Sequence, residues 1–242
     1  MDASQSFYPK RQPRYIADRG CAFYVDPVAQ ALMLEKPLSH EVPAAPEFGE
    51  PTPIEASPPT LAFLARRRSA SALTLTAPGP NEGQLSTLLR LATRVPDHGK
   101  LSPWRFVILK DEGKARFVAG LEAIARARTD GERLVAKLGK LRTPPLTVAV
   151  VSRAPAQGDI PEWEQRLSAA AVCMTLIIAA QAMGYGANWI TDWYAYDIDA
   201  CALLGLREGE RVAGFVHLGA SAEAPLERVR PDVGALVTEW SG

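Results

Sequence analysis

The side chains best suited to chemistry lie close together in the stretch RVPDHGKLSPWRFVIL, residues 94–109. It combines arginines and a lysine with an aspartate and one of the chain's 3 histidines, and then becomes mainly apolar. Residues of these types could form a metal site, part of a hydrolytic triad or a loop that binds an anion. They could also be no more than a polar loop that leads into a β-strand.

Metal and hydrolytic sites lack the partners that they would need elsewhere in the chain. His40, His98 and His217 are far apart, without His-x₃-His or HExxH spacing, so the sequence predicts no metal site. It contains no G-x-S-x-G nucleophile elbow, no GxxxxGK[ST] phosphate loop and no complete G-x-G-x-x-G. A hydrolytic triad, a P-loop and a Rossmann dinucleotide site are therefore not predicted.

Two basic clusters remain as candidates for binding an anion. Arg66–Ser69 ends a predicted short helix, and Arg94, His98 and Lys100 surround a proline-containing loop before a predicted strand. Guanidinium groups bind phosphate through paired hydrogen bonds, and an imidazole can add a further donor. Two such clusters suit a ligand with an anionic tail and a flat apolar body. The alternative for the arginine run is a solvated helix face. Trp104 could form an aromatic wall for such a ligand, but we favour core packing for it.

The composition limits the partners that the chain could bind. Lysine and arginine (27) balance aspartate and glutamate (27), so no overall charge attracts nucleic acid or an anionic membrane. Cys21, Cys173 and Cys201 form no CxxC pair, which favours free thiols in a reducing compartment. No signal-peptide pattern is evident, and the longest apolar run, residues 169–180, is shorter than the ~18 residues of a membrane span. We therefore expect a cytoplasmic protein that binds neither nucleic acid nor membrane.

The composition and residue pattern of the chain change at about residue 60. Residues 1–60 contain the segment 37–59, which is rich in prolines that oppose helix formation. We predict that residues 1–60 form an extended or partly disordered N-terminal extension. Residues 61–242 have the regular pattern of one folded domain, and a length of 242 residues fits one domain with an appendage.

Hydrophobic periodicity predicts the elements that must position the basic clusters. Asn81 and Gln84 have the spacing of a helix capping box, and Asp159 is the predicted cap of a long apolar helix. The element order α–α–β–α–α–β–α–β–α–β predicts an α+β fold with helices against one sheet. Four segments are predicted to be strands, of which the second, nearly all apolar, should be central: WRFVILK, PLTVAVVSRA, GYGANWITD and RVAGFVHLGA.

Five segments together resemble a known family. They are RRRSAS, RVPDHGKLSPWRFVIL, the WEQ…SAA part of the long helix, MGYGANW and GFVHLG. In order and spacing they are similar to the nitroreductase family of FMN-dependent NAD(P)H oxidoreductases, in particular its compact branch, and the resemblance covers residues 61–240. It implies a central, mostly antiparallel sheet flanked by helices. It also implies an intertwined homodimer with one FMN in each of two clefts at the subunit interface.

The resemblance further implies which residues bind the cofactors. Arg67, Arg68 and Ser69 match residues that hold the phosphate and ribityl chain of FMN. Arg94 and His98 match residues that reach the flavin of the partner subunit, and Lys100 or Arg68 is a candidate for the N1–O2 edge of the flavin. Trp189, Ile190 and Thr191 match a strand segment that lies against the flavin. The segment that the family assigns to NADH or NADPH corresponds to Ala179, Ala180, Gln181, Ala182, Met183 and Gly184.

The activity implied by the resemblance is a ping-pong hydride transfer. NAD(P)H would reduce the flavin at N5, and a small electron acceptor such as a nitroaromatic, a quinone or an enone would then reoxidise it. Chemistry carried by a cofactor agrees with a sequence that has no evident nucleophile or acid–base pair. The alternative is a protein that stores or senses FMN. Ile190, where the branch often has arginine, and the bulky Trp193 and Tyr194 could narrow the pocket and so favour that alternative.

Overall fold

The computed structural model describes residues 42–153 and 159–242. The strands in these ranges are β1 (Leu75–Thr76), β2 (Trp104–Lys110), β3 (Leu146–Ser152), β4 (Gly186–Ile190) and β5 (Arg211–Ser221). The α-helices are α1 (Pro58–Arg66), α2 (Glu82–Ala92), α3 (Asp111–Arg126), α4 (Gly131–Lys137), α5 (Gly139–Arg142), α6 (Glu162–Ala182) and α7 (Ile198–Leu203). Cys21, His40 and most of the N-terminal extension lie outside the described residues.

The five strands form one antiparallel sheet in the order β1-β5-β3-β2, with β4 also paired to β5. The predicted α+β fold with an antiparallel sheet is therefore confirmed. The four predicted strands are all present, and β3 is central and buried along its whole length, as its run of apolar and β-branched residues indicated. The sequence pattern did not indicate β1, which is only 2 residues long.

Helices cover both faces of the sheet, and each face has its own apolar core. Val148 and Val150 of β3 point into a cluster with α2 and α6, whereas Ala149 points into a second cluster with α3, α5 and α7. This alternation is the period-two pattern of a strand that is buried on both faces. Trp104 is 7% exposed and belongs to the first cluster, so its predicted role in core packing is confirmed.

The ends of α2 and α6 illustrate how local sequence fixes a helix boundary. The predicted capping box of α2 is confirmed, because Asn81 Oδ1 accepts the Gln84 N–H at 2.9 Å and Gln84 Oε1 accepts the Asn81 N–H at 2.9 Å. The predicted cap of α6 on Asp159 is wrong. Pro161 holds the N-cap position with an extended ψ of 137°, and the helix begins at Glu162.

Helix α6 is the long apolar helix that the sequence predicts. By length and composition it could cross a membrane, but 50% of its most apolar window is buried inside the fold, as in the core helix of a soluble protein. Cys173 on this helix is a buried free thiol, as expected. The C-terminal tail, residues 222–242, is exposed and has no regular structure except a short 3₁₀ turn at Gly234–Leu236.

Candidate functional site

The basic segment Arg66–Ser69 is held in place by the C-terminal end of α6 and the start of β4. Gln181 Nε2 donates a hydrogen bond to the carbonyl of Arg68. The Ala70 N–H, directly after the segment, donates to the Ala187 carbonyl at 3.1 Å. The backbone of this segment is thus fixed, while its guanidinium groups remain partly accessible.

Arg67 is the centre of a concentration of positive charge. Its Nε is buried and has no hydrogen-bond partner among the described residues. The pKa of Arg67 is lowered, first by burial and then by the charges of Arg230, Arg68 and Arg228. A crowded cation with an unsatisfied buried donor is costly unless an anion binds to it. The geometry therefore favours a bound anion such as a phosphate at this point.

The C-terminal tail brings two of these arginines to the cluster. Arg68 Nε donates to the Leu226 carbonyl at 2.9 Å, which places the tail next to the basic segment. Glu227 offsets part of the charge, because it lies 3.0 Å from Arg230 and 3.9 Å from Arg68, and its pKa is lowered. Arg228 and Arg230 were not predicted from the sequence as part of the site. The signal that could have indicated them is the segment Arg-Val-Arg, in which two arginines alternate with valine and so point the same way in an extended tail.

A surface cavity opens beside this arginine cluster. Its volume is ≈ 320 Å³. Phe63 of α1 and Gln181 of α6 form parts of its wall. Its lining residues are Pro59, Phe63, Arg66, Arg67, Arg68 and Gln181.

The second basic cluster lies on the loop between α2 and β2, and the N-terminal part of α6 holds it. Ser168 Oγ donates to the Pro96 carbonyl at 2.6 Å, and His98 Nδ1 lies 2.8 Å from Glu164 Oε2. The carboxylate favours a proton on Nδ1, which leaves Nε2 of the imidazole free to face a ligand. Glu164 and Ser168 were not predicted from the sequence, because nothing local connects them with the loop.

The backbone of this loop is strained in a way that is typical of functional sites. Gly99, Lys100 and Ser102 have positive φ values of 73°, 54° and 47°, of which the latter two cost about 1–3 kcal/mol each in a non-glycine residue. The carboxylate of Asp97 compensates by accepting the N–H groups of Leu101 at 3.1 Å and Ser102 at 2.8 Å. Lys100 itself is exposed, next to His98.

Arg94 lines a larger cavity on the same side of the loop. This cavity measures ≈ 560 Å³, whereas the one beside Arg67 measures ≈ 320 Å³. Arg90, one helical turn before Arg94, also lines it and donates from Nη2 to the Pro43 carbonyl at 3.0 Å. Ala45 of the N-terminal extension forms part of the wall. In the described part of the chain neither arginine has a carboxylate partner within 4.0 Å, so both can bind an anion.

The two basic clusters lie near opposite ends of α6. Ser168 contacts the loop that carries Arg94, and Gln181 contacts the segment that carries Arg67. At a rise of about 1.5 Å per residue these two contacts are roughly 20 Å apart along the helix. The clusters of one chain therefore cannot bind the same phosphate group.

The predicted strand segment against the flavin is the end of β4. Trp189 is 37% exposed, and its Nε1 donates to the Ala213 carbonyl at 3.2 Å. The indole crosses the backbone of β5 at Gly214, where a Cβ atom would lie only 1.9 Å from Nε1. Ile190 is half-buried and Thr191 is exposed. All three predicted residues thus lie along one accessible edge.

The predicted nicotinamide segment is the last turn of α6 and its cap. Ala179 and Ala180 are buried in the core, so their side chains face the sheet. Met183 also packs against that core. Gln181 is half-buried, Ala182 and Gly184 are exposed, and Gly184 ends the helix with a φ of 83°. Only the outer part of this segment is therefore accessible to a ligand.

The bulky residues after β4 do not narrow the site. Tyr194 is 0% exposed and packs edge-on against Phe215, with 4.9 Å between the ring centroids. Trp193 donates from Nε1 to the Leu134 carbonyl at 3.1 Å. Both side chains contribute to the core on the α3 face of the sheet, away from α6. The suggestion that they narrow the pocket is wrong, because the 3₁₀ turn Trp193–Ala195 directs them to the opposite face.

Comparison with known proteins gives the site its context. The model of the nitroreductase family matches residues 64–220. A protein of Escherichia coli (strain K12) named "Putative NAD(P)H nitroreductase YdjA" is 36% identical over 161 residues, which cover 66% of this chain and 86% of that protein.

Solved structures show the same fold. The nitroreductase-like family protein from Bacillus cereus superposes with a TM-score of 0.66 at 23% identity, over 79% of this chain and 100% of that one. The nitroreductase with bound FMN from Bacteroides fragilis NCTC 9343 gives a TM-score of 0.58 at 21% identity, over 76% of this chain and 100% of that one.

Proposed function

The chain belongs to the nitroreductase family, and on that premise we propose that it is an NAD(P)H-dependent oxidoreductase with FMN as its cofactor. The bound flavin would relay a hydride from the nicotinamide to a small electron acceptor, such as a nitroaromatic, a quinone or an enone. The observation that carries the proposal is the convergence of arginines around Arg67, whose buried Nε has no partner among the described residues.

The arginine cluster fits the phosphate of FMN. Arg67, Arg68, Arg228 and Arg230 would surround an anion that carries close to two negative charges, and guanidinium groups form the paired hydrogen bonds that suit phosphate. Binding would satisfy Arg67 Nε and offset the mutual repulsion of the cations. Each charge-assisted hydrogen bond contributes about 1.5–3 kcal/mol. The basic segment and the tail would thus act together as the phosphate site.

We further propose that each flavin is bound between two copies of the chain. The roughly 20 Å between the contacts of the two clusters along α6 supports this arrangement, because Arg94 and His98 could then complete the site of the partner subunit. An apolar stripe on α6 supports it as well. Trp163 and Leu167 are 67% and 49% exposed, and by helical spacing they share a face with the partly buried Met174. A second copy would cover this stripe.

The remaining residues would orient the ligands and exclude water. Glu164 contacts Nδ1 of the His98 ring, which would leave Nε2 for the flavin, and Asp97 keeps the loop in its strained conformation. Trp189 would shield one side of the flavin as part of the β4 edge. Lys100 would place positive charge near the flavin edge.

The domain boundaries and the compartment are part of the same proposal. We propose that residues 61–242 form the FMN-binding domain and that residues 1–60 are an extension to it, although α1 begins at Pro58 within that extension. The free thiols Cys173 and Cys201 support a cytoplasmic location. Storage or sensing of FMN remains the alternative function, although Trp193 and Tyr194 no longer favour it.

The absorption spectrum of the purified protein tests the proposal. We expect flavin bands, and we expect them to bleach at a catalytic rate on anaerobic addition of NADH or NADPH. Slow or absent bleaching with both would instead support storage. The variant Arg67→Ala/Arg94→Ala should lose FMN, whereas Arg116→Ala, at an exposed arginine of α3, should retain it. Full flavin occupancy in the double variant would contradict the assignment of the phosphate site.

A further inference from the structure

A buried lysine lies on the α3 face of the sheet, opposite α6. Lys114 of α3 is 5% exposed, and its Nζ donates to the carbonyl of Pro144. Within the described residues it has no carboxylate within 4.0 Å, so nothing there balances its charge. Burial lowers its pKa to about 8, which makes the neutral amine accessible near physiological pH.

His217 forms a neutral neighbour to this lysine. Its side chain is 0% exposed, and its Nδ1 lies 2.9 Å from Thr147 Oγ1. Nε2 is buried and has no partner in the described part of the chain. Burial, together with the charge of Lys114, lowers the pKa of His217 to about 3. The imidazole therefore stays neutral at physiological pH and places no charge beside the Lys114 amine.

Lys114 opens onto a cavity of ≈ 450 Å³. The apolar part of the wall includes Ala115, Val118, Ala119 and Pro145. The charged part consists of Asp111, Glu122 and Arg142, and the last two are paired with each other. Over the whole lining, Asp111 and Glu122 offset the charges of Lys114 and Arg142, so the wall carries no net charge, which suits an uncharged carbonyl compound.

We propose that Lys114 is a nucleophilic amine that forms an imine with a small, uncharged carbonyl compound bound in this cavity. The lone pair of Nζ forms a bond to the carbonyl carbon, and the C=O π pair moves to oxygen. Proton transfer from nitrogen to oxygen through solvent water gives a carbinolamine. Loss of the hydroxyl group as water then gives the imine, with no net oxidation or reduction.

Reductive trapping of the full-length protein tests this inference. The protein is incubated at pH 7 with benzaldehyde and sodium cyanoborohydride, and site occupancy is followed by peptide mass spectrometry. Lys110 is an internal control, because its Nζ pairs with Glu82 at 3.0 Å and its pKa is raised. A pKa of about 8 instead of 10.5 gives Lys114 about 300 times more neutral amine than an ordinary lysine.

Since the ligand must enter the cavity, we expect Lys114 to be modified at least about tenfold faster than Lys110, and a smaller ratio overturns the proposal. Lys114→Arg keeps the positive charge and should abolish the adduct on that peptide. Ala119→Phe places a ring at the cavity wall on an exposed helix face and should slow modification of Lys114 alone. Unchanged modification in that variant would overturn the cavity as the binding site. The readout does not require flavin, so it is independent of the proposed oxidoreductase activity.

Discussion

Intersubunit complementation tests whether the two basic clusters meet across a dimer. Arg67 and Arg94 belong to clusters that α6 holds roughly 20 Å apart, so each proposed flavin site would take one cluster from each subunit. A heterodimer of Arg67→Ala and Arg94→Ala subunits would then contain one site with both clusters intact and one site with neither. A heterodimer of the double variant and the unchanged chain would contain two sites that each lack one cluster.

The expected magnitude follows from the contacts that are lost. Removing the guanidinium of Arg67 or Arg94 eliminates at least one charge-assisted hydrogen bond of about 1.5–3 kcal/mol, which weakens FMN binding roughly 10- to 150-fold. At an FMN concentration near the Kd of the intact site, each singly defective site should therefore be occupied to less than about 10%. The first heterodimer should retain one tight site, and the second should retain none.

The assay uses two affinity tags to purify each heterodimer after coexpression, followed by flavin titration with fluorescence detection. Homodimers of each single variant, purified in the same way, give the signal of a singly defective site. If the heterodimer of the double variant with the unchanged chain keeps one tight site, both clusters act within one subunit and the shared site is wrong. Absence of tight binding in the first heterodimer, when it is folded, would equally contradict a site shared between subunits.

Two further predictions concern the scaffold of the site. Gly214→Ala should displace the Trp189 indole, whose Nε1 would lie 1.9 Å from the new Cβ, and destabilise the protein by about 1–3 kcal/mol. Gly113→Ala, at an open position of α3, should instead stabilise it by about 0.5–1 kcal/mol, and thermal unfolding compares the two. Glu210 accepts hydrogen bonds from Arg105 at 2.7 and 2.6 Å, which lower its pKa to about 2, so this stabilisation is present above pH ~4.5 and is lost as the pH falls toward 2. Glu210→Gln should cost about 1.5–3 kcal/mol at pH 7 and much less near pH 2 in urea unfolding, and an equal cost at both pH values would contradict the ion-pair explanation.

The features that could be predicted from the sequence are those that local pattern determines. The capping box of α2 depends on two residues three positions apart, and it is present as predicted. The apolar run of β3 gave its location, because this short-range pattern is independent of the rest of the fold. The resemblance to a family added the fold and the candidate residues on β4 and α6.

Long-range contacts could not be predicted in the same way. Arg228 and Arg230 reach Arg67 only because the tail folds back along the basic segment, and no periodicity in the tail indicates this path. Glu164 is one of two acidic residues in the first turn of α6, and only the position of the loop selects it as the partner of His98. The direction of Tyr194 depended on a single turn after β4, whose conformation residue types alone do not specify.

Helix α6 also sets an angle. Successive residues of an α-helix are rotated by about 100°, so Glu164 and Gln181 leave α6 in directions roughly 100° apart around its axis. Inserting one residue between them would turn one basic cluster by about 100° relative to the other and lengthen the distance by only about 1.5 Å. The number of residues in this helix therefore acts as a torsional constraint on the site. Changes of loop length elsewhere would leave that constraint intact, whereas a change of one residue in α6 would misalign both clusters at once.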